Sequence, residues 1–484
     1  MQRLVRSTAI LGLGSIAAVM AAILRAKILA SWLGPEGTGL LAQLSTLTAV
    51  LVPLATLGIG SGLITLIAEA RSRNDVERIR RVEAAGRTIA WGLGGALALG
   101  AIVLSPWLAS AIFRDSSFAW AVALGAASVP FSAVASVRVS MLQGHEAIRA
   151  NAILNTTIAF VGIATIVPLA YFFGVRGAVA QLVVITAVWA WWAGRLLAPH
   201  TAPGPRPWGV DRSLWRPLLR YGIAALMVGL SSTLALLVLR SMLVGQLGLA
   251  QNGIYQVCLG VSGMVMPLVL SSITATVWPE IAAKARDKDA AETMRSAVRL
   301  GFLLTTAILS GLLIGAPVWV PLFYSGKFIP ALDLLPIQFL GDYFRCAAWM
   351  FSIWLVPRER LKPWVLFELI YGASLLGAFV LLVPRLGLKS AVVAYVIAHV
   401  THAVLHYWLA RRRVNFRLGP ANRRLLLGSF ALMAGLAVWT PRTLLEMGLG
   451  MVAWVGWVLL VVRRHEWQGL LRRVRRFLPG GQSS

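Results

Sequence analysis

The sequence predicts an all-α polytopic membrane protein of about fourteen transmembrane helices: two parallel six-helix lobes followed by two C-terminal helices. Three observations predict it. The composition is strongly apolar, apolar runs of helix length alternate with short basic loops, and the chain repeats itself at an offset of 213–214 residues.

Of 484 residues, 58% are hydrophobic and only 13% charged, where a soluble domain carries about 25% charge. The mean hydropathy of +0.76 implies more apolar surface than one core could bury. Fourteen spans of about 20 residues leave loops of about 14 residues on average, so no sizeable extramembrane domain fits. The net charge of +27 would suggest nucleic acid in a soluble protein. In a membrane protein it belongs in cytoplasmic loops facing anionic lipid, so anionic membrane lipids are expected partners and nucleic acid is not. Cys258 and Cys346 both fall in apolar runs, which excludes a disulfide framework. The basic start, Gln2 to Arg6, leads into an apolar run that continues to Trp32, and reads as an uncleaved first helix.

Spans are expected near 7–33, 39–68, 88–112, 117–142, 152–173 and 177–197, then near 218–246, 251–279, 299–323, 331–356, 363–384 and 390–410, and last near 425–440 and 447–462. With the N-terminus inside, 34 Lys/Arg fall in cytoplasmic segments, 6 in external loops and 5 within spans. That asymmetry puts both termini in the cytoplasm. Pro203, Gly204, Pro205 and Pro207 mark a linker. The expected organisation is an N-lobe at 1–200, a cytoplasmic linker at 201–217, a C-lobe at 218–413, and spans thirteen and fourteen with a basic tail at 414–484. The tail, with Arg472, Arg473, Arg475 and Arg476, reads as a surface helix on anionic lipid. The last two spans are expected at the periphery or forming a lipid-facing groove.

The repeat has two anchors. Leu33, Gly34, Gly39, Leu40, Pro53 and Leu54 recur 214 residues later as Leu247, Gly248, Gly253, Ile254, Pro267 and Leu268. At an offset of 213, Gly174–Val179 matches Gly387–Val392, and Leu142, Glu146 and Arg149 meet Leu355, Glu359 and Lys362. Two anchors far apart at nearly one offset indicate duplication. Each unit has six spans, so both copies insert the same way up, with a cavity expected between them; this is transporter architecture.

A charge at mid-bilayer costs at least about 2.5–3.5 kcal/mol and therefore needs a reason. Arg25 lies nine residues before Gly34 and Arg240 eight before Gly248, so the two are near-equivalents in the repeat. Lys27 shares the first helix, about 200° around from Arg25. Arg345 in span ten and Arg138 in span four complete the cations; Arg138 lies near the cytoplasmic end and could snorkel. The acids inside spans are Asp342, three residues before Arg345 and placed to pair with it, and Glu368. Either could couple transport to an ion, and Glu368 could instead pair with a cavity cation. The cationic excess implies an anionic guest, with phosphate oxygens suited to Arg and Lys. His399, His402 and His406 form one stripe of span twelve, open to proton relay, metal binding or hydrogen bonding within an interface, the last being favoured.

Catalytic motifs are absent: no GxxxxGK[ST] loop, no HExxH and no DxD-like acidic pair, so no cofactor or metal is expected. The thin external loops disfavour a membrane glycosyltransferase or polymerase. A drug/cation antiporter should show unpaired acids in its cavity, where cations stand here. A non-transporting scaffold is the remaining alternative.

The run Arg25, Lys27, Leu29, Leu33, Gly34, Pro35, Glu36, Gly37, Gly39, Leu40, followed by Leu57, Gly58, Ile59 and Gly62, resembles the first-helix signature of Wzx-type translocases. These belong to the polysaccharide-transporter branch of the multidrug/oligosaccharidyl-lipid/polysaccharide exporter superfamily. A second stretch is similar too: Asp342, Arg345, Trp354, Leu355, Arg360, Glu368, Gly387, Ala391 and Val392. The resemblance is to the O-antigen and enterobacterial-common-antigen type. It implies a MATE-like fold in the bacterial inner membrane and outward flipping of an undecaprenyl-pyrophosphate-linked oligosaccharide by alternating access. It also implies work beside polymerase and chain-length machinery. A sodium site of the kind described for related lipid II flippases would need acids in spans seven and eleven, and span seven offers only Ser231, Ser232 and Thr233.

Overall fold

Helix-length apolar runs become helices throughout. The computed structural model describes residues 2–201, 208–283, 287–356 and 361–462, and no strand occurs among them. The basic tail and the centre of the proline-rich linker lie outside the described residues. In chain order the helices are α1 (Gln2–Thr56), α2 (Gly60–Ser72), α3 (Val76–Val103), α4 (Ser105–Phe113), α5 (Ala119–Ala127), α6 (Val129–Gly144), α7 (Ile148–Leu197) and α8 (Arg212–Leu247). There follow α9 (Leu249–Ala283), α10 (Asp287–Ile314), α11 (Ala316–Phe323), α12 (Leu335–Ser352), α13 (Leu361–Leu386), α14 (Lys389–Arg413), α15 (Pro420–Val438) and α16 (Leu444–Val461). Ten helical stretches among the described residues have the length and composition to cross a membrane. Large apolar side chains such as Leu99, Val103, Phe172, Leu381 and Leu460 are exposed on them. A surface of that kind is stable against lipid rather than water.

Each expected span falls on helix, but several are segmented. The second breaks at Leu57 and Gly58, both at positive φ (49° and 64°), before α2 resumes. The third breaks at Leu104 and the fourth at Ser128, each ahead of a helix with proline in its first turn. Proline starts a helix easily but removes a bond from the preceding one.

The duplication is visible in this segmentation. α3, α4, the 3-10 turn Ser116–Phe118 and the broken pair α5–α6 recur as α10, α11, the 3-10 turn Gly326–Asp333 and the single helix α12. Gly34 (φ 64°, ψ −169°) splits α1 in two, and its repeat mate Gly248 (φ 89°, ψ 169°) separates α8 from α9. Gly174 (φ 56°) within α7 corresponds to Gly387 (φ 51°) between α13 and α14. Positive φ with the extended ψ of Gly34, Gly174 and Gly248 is open essentially to glycine, so those helical hairpins turn within about one residue.

The chain forms two compact units. The first comprises Met1–Val257, Val320–Pro330 and Leu361–Ala394, the second Cys258–Trp319, Ala331–Arg360 and Tyr395–Ser484. In the first unit, one apolar core gathers Ile59, Leu63, Val82, Val137 and Leu142, and another Leu44, Phe113, Val122 and Ile166. Asp211 caps α8 by accepting from the Ser213 amide (2.9 Å) and meets Arg81 at 3.2 Å. The Ser213 hydrogen bonds, and then Arg81, hold its carboxyl below the ordinary carboxylate value. In the second unit, α15 packs on α10 and α12 and α16 packs on α15 and α10. α16 starts with a reciprocal cap between Thr443 and Glu446 and buries only Gly450 and Trp457 among its described residues, so it stands at that unit's edge.

Candidate functional site

α1 carries two of the expected cations, and they diverge. The Arg25 guanidinium is half-buried and donates to Gln181 Oε1 of α7 at 2.9 Å. Gln181, fully buried, is itself oriented by the Thr165 hydroxyl at 3.2 Å and the Gly162 carbonyl at 3.4 Å. Lys27 donates to the Pro321 carbonyl at 3.1 Å. The offset of about 200° thus sends the two side chains to different neighbours without any irregularity in the helix.

Arg240, the repeat mate of Arg25, occupies a different environment. It is 2% exposed, donates to Asn252 Oδ1 at 2.9 Å and to Gln256 Oε1, and lies over the Tyr255 ring with 5.9 Å to its centroid. Asn252 in turn donates to the Gly39 carbonyl at 2.8 Å, and Gln43 donates to the Ser241 hydroxyl at 2.9 Å. Neutral amide oxygens thus accept from both terminal nitrogens of a buried cation, whose Nε has no partner among the described residues, and stitch α1, α8 and α9 together. Here the helices touch backbone to backbone. A Cβ built on Gly39 would lie 2.0 Å from the Leu249 carbonyl oxygen, and one on Gly253 would lie 1.9 Å from that of Pro35. Positions 35 and 39 are the repeat mates of 249 and 253, so the contact is reciprocal, as across a two-fold axis.

Arg138 bonds the Ala190 carbonyl of α7 at 2.5 Å and lies flat against Gly194, where a Cβ would meet its Nη1 at 2.8 Å. It lines a small cavity with Glu83, Arg87 and Thr201. Beside it Glu83 and His145, both nearly buried, pair at 2.8 Å. Glu368, half-buried on α13, accepts from the Trp364 indole at 3.1 Å.

In the second unit the expected Asp342–Arg345 pair forms at 4.0 Å, but Asp342 has closer partners. The Tyr395 hydroxyl donates to its Oδ1 at 2.8 Å and the Ser262 hydroxyl to its Oδ2. Asp342 is fully buried, while about a third of the Arg345 side chain is exposed. His399, His402 and His406 are buried on α14. An open groove of about 1210 Å³ runs between α15 and α16, bordered by Arg424, Leu425, Gly428, Gly456, Trp457 and Leu460. Sequence reasoning passed over Gln43, Gln181, Asn252 and Gln338, which are buried amides. An amide inside an apolar run was the available signal.

Residues 4–285 match the family described as "Polysaccharide biosynthesis protein". Over 394 residues the chain is 23% identical to a lipid III flippase of Escherichia coli (strain K12), covering 79% of this chain and 92% of the relative. A lipid III flippase of Shigella flexneri matches equally. Among solved structures, an inward-facing multidrug resistance MATE family transporter of the MOP superfamily superposes with a TM-score of 0.73 at 16% identity, covering 84% of this chain and 96% of that one. A lipid II flippase in an inward closed conformation gives 0.71 at 13% identity, covering 93% and 98%. The fold is therefore the one these transporters share.

Proposed function

The chain belongs to the polysaccharide biosynthesis protein family, and from that premise we propose that it is a Wzx-type translocase. It flips an undecaprenyl-pyrophosphate-linked oligosaccharide from the cytoplasmic to the periplasmic leaflet of a bacterial inner membrane, for O-antigen-like surface polysaccharide. Both termini are cytoplasmic, fourteen spans cross the bilayer, and halves at 1–200 and 218–413 rock between two access states. Polysaccharide polymerase and chain-length machinery take the product, and anionic lipid holds the basic loops and tail.

The observation that carries this reading is Arg25, a guanidinium half-buried inside an apolar membrane helix and held by a neutral amide, not a carboxylate. An amide does not cancel its charge, and Arg25, unlike the 2%-exposed Arg240, keeps part of its surface open to a guest. A pyrophosphate of about two negative charges must pass a hydrocarbon core of ~30 Å, and partner cations are what make that passage affordable. Arg25 and Lys27 are the groups of the first unit that we assign to an anionic headgroup, and Arg345 is the candidate cation of the second. Arg240, closed off by Asn252 and Gln256, positions α9 against α1, and Arg138 fastens α6 to α7. Asp342 and Glu368 are the candidates for ion coupling. The drug/cation antiporter reading rests on Asp342, a buried acid already engaged by Tyr395 and Ser262.

The test is genetic. Cells lacking this gene should accumulate the lipid-linked oligosaccharide on the cytoplasmic face and recover surface glycan when the gene is restored. Normal surface glycan in the deleted strain would defeat the proposal.

A further inference from the structure

The export reading leaves three buried histidines of α14 without a task. His399, His402 and His406 are 7%, 8% and 1% exposed in the second unit. The Nε2 atoms of His402 and His406 are 2.9 Å apart. Two imidazole nitrogens at that distance share one proton: one ring donates and the other accepts. The protonation of each ring is therefore set by the other, and a further proton on either outer nitrogen gives a cationic pair that keeps the shared hydrogen bond.

The pair does not stand alone. His402 and His399 have ring centroids 6.4 Å apart, and the His399 ring lies edge-on to Tyr395 with centroids 4.3 Å apart. The Tyr395 hydroxyl donates to Asp342 at 2.8 Å, and Arg345 of α12 reaches both, at 3.5 Å from the hydroxyl and 4.0 Å from the carboxylate. Positions 395, 399, 402 and 406 form one stripe of α14, about 16 Å long at 1.5 Å per residue. Groups of other helices that act on this file among the described residues include Ser262 of α9 on Asp342, the Cys258 and Cys346 thiols near that carboxyl, and Arg345, which also acts on His399. Among the described residues no group of three His, Cys, Asp or Glu side chains is placed to hold a metal ion.

We propose that this file is a proton relay, with a proton as the coupling ion: it binds at the His402–His406 pair and passes by way of His399 and Tyr395 to Asp342. The balance is simple. The cationic pair loses one proton and returns to neutral, Tyr395 accepts one proton as it gives one up, and the Asp342 carboxylate becomes the neutral acid. That removes the negative charge beside Arg345, so its guanidinium turns a larger net positive charge toward an anionic headgroup. The coupling role rests on the translocase reading; the proton site itself does not.

The experiment has two arms on the full-length protein. Purified protein labelled with ¹⁵N-histidine is titrated by NMR, and vesicles containing the protein report proton flux through an entrapped pH dye under an imposed pH gradient. The variants are His402→Gln with His406→Gln, which keep hydrogen bonding without titration, and Tyr395→Phe. The expected result is two imidazoles that titrate together in the wild type, with proton flux reduced at least tenfold in both variants while protein level persists. Independent titration of the two rings, or undiminished flux in the double variant, would overturn the relay. Intact coupled titration with no movement of lipid-linked oligosaccharide would instead count against the translocase reading and leave the proton site standing.

Discussion

Replacing Gly253 by alanine tests the reciprocal contact of α1 and α9. The new Cβ would lie 1.9 Å from the Pro35 carbonyl oxygen and 2.7 Å from its carbon, with no flexible side chain to give way. Real Cβ contacts stay beyond 3.0 Å, so the two helices must part by about 1 Å, an overpacking cost of about 1–3 kcal/mol. Parting also stretches the Asn252–Gly39 bond of 2.8 Å. If the contact exists in one access state only, that energy shifts the equilibrium toward the other by about 5–150-fold. The assay is the rate at which a membrane-impermeant maleimide modifies a cysteine at position 241, where Ser241 now bonds Gln43. Gly253→Ala and Gly39→Ala should both raise that rate within this range. Gly92→Ala, with open space around its Cβ position, should leave it unchanged. An unchanged rate in Gly253→Ala at normal protein level would refute the reasoning.

Four further outcomes follow from the same geometry. Arg240→Ala strands the buried Asn252 oxygen, at about 1–3 kcal/mol, and takes the partner of the half-buried Gln256 oxygen, so membrane protein level should fall with export, whereas Arg25→Ala should keep protein level and lose export. Arg25→Lys should retain part of the activity, because charge survives while the planar fork is lost; quantitative glycan export beside immunoblotting reads all three variants. Gly34→Ala and Gly248→Ala force backbone angles that only glycine holds freely, and thermal unfolding in detergent should show each destabilised by about 1–3 kcal/mol. The Asp211 carboxyl is held below its ordinary value, so the order it gives the start of α8 is complete above that value and is lost as pH falls through the lowered one. Hydrogen exchange at Ser213 should show this loss in the wild type and no such pH dependence in Asp211→Asn.

Helices, their apolar faces and the repeat were legible in the sequence because hydropathy and glycine placement act locally. Gly34 and Gly248 could be paired from sequence, and both turn at positive φ. The breaks at Leu57–Gly58 and Leu104 were not legible, since an apolar run reads the same whether or not it kinks. Arg240 in an apolar run also reads like Arg25; only folding brings Asn252 and Gln256 around one and leaves the other partly open. The Glu83–His145 pair spans 62 residues, and its residues sit in stretches that look like ordinary polar loops. The histidine stripe was visible, but the shared proton between His402 and His406 depends on rotamers that the sequence does not encode locally.

The most direct measurement of the central claim is translocation by the purified protein in vesicles. A fluorescent polyprenyl-pyrophosphate-linked oligosaccharide is placed in one leaflet and its arrival in the other is followed by quenching from outside. The account predicts protein-dependent transfer that falls at least tenfold when the pyrophosphate is replaced by a neutral linkage, and falls likewise in Arg25→Ala. Transfer of a cationic drug with none of the lipid-linked glycan, or equal transfer of the neutral analogue, would contradict it.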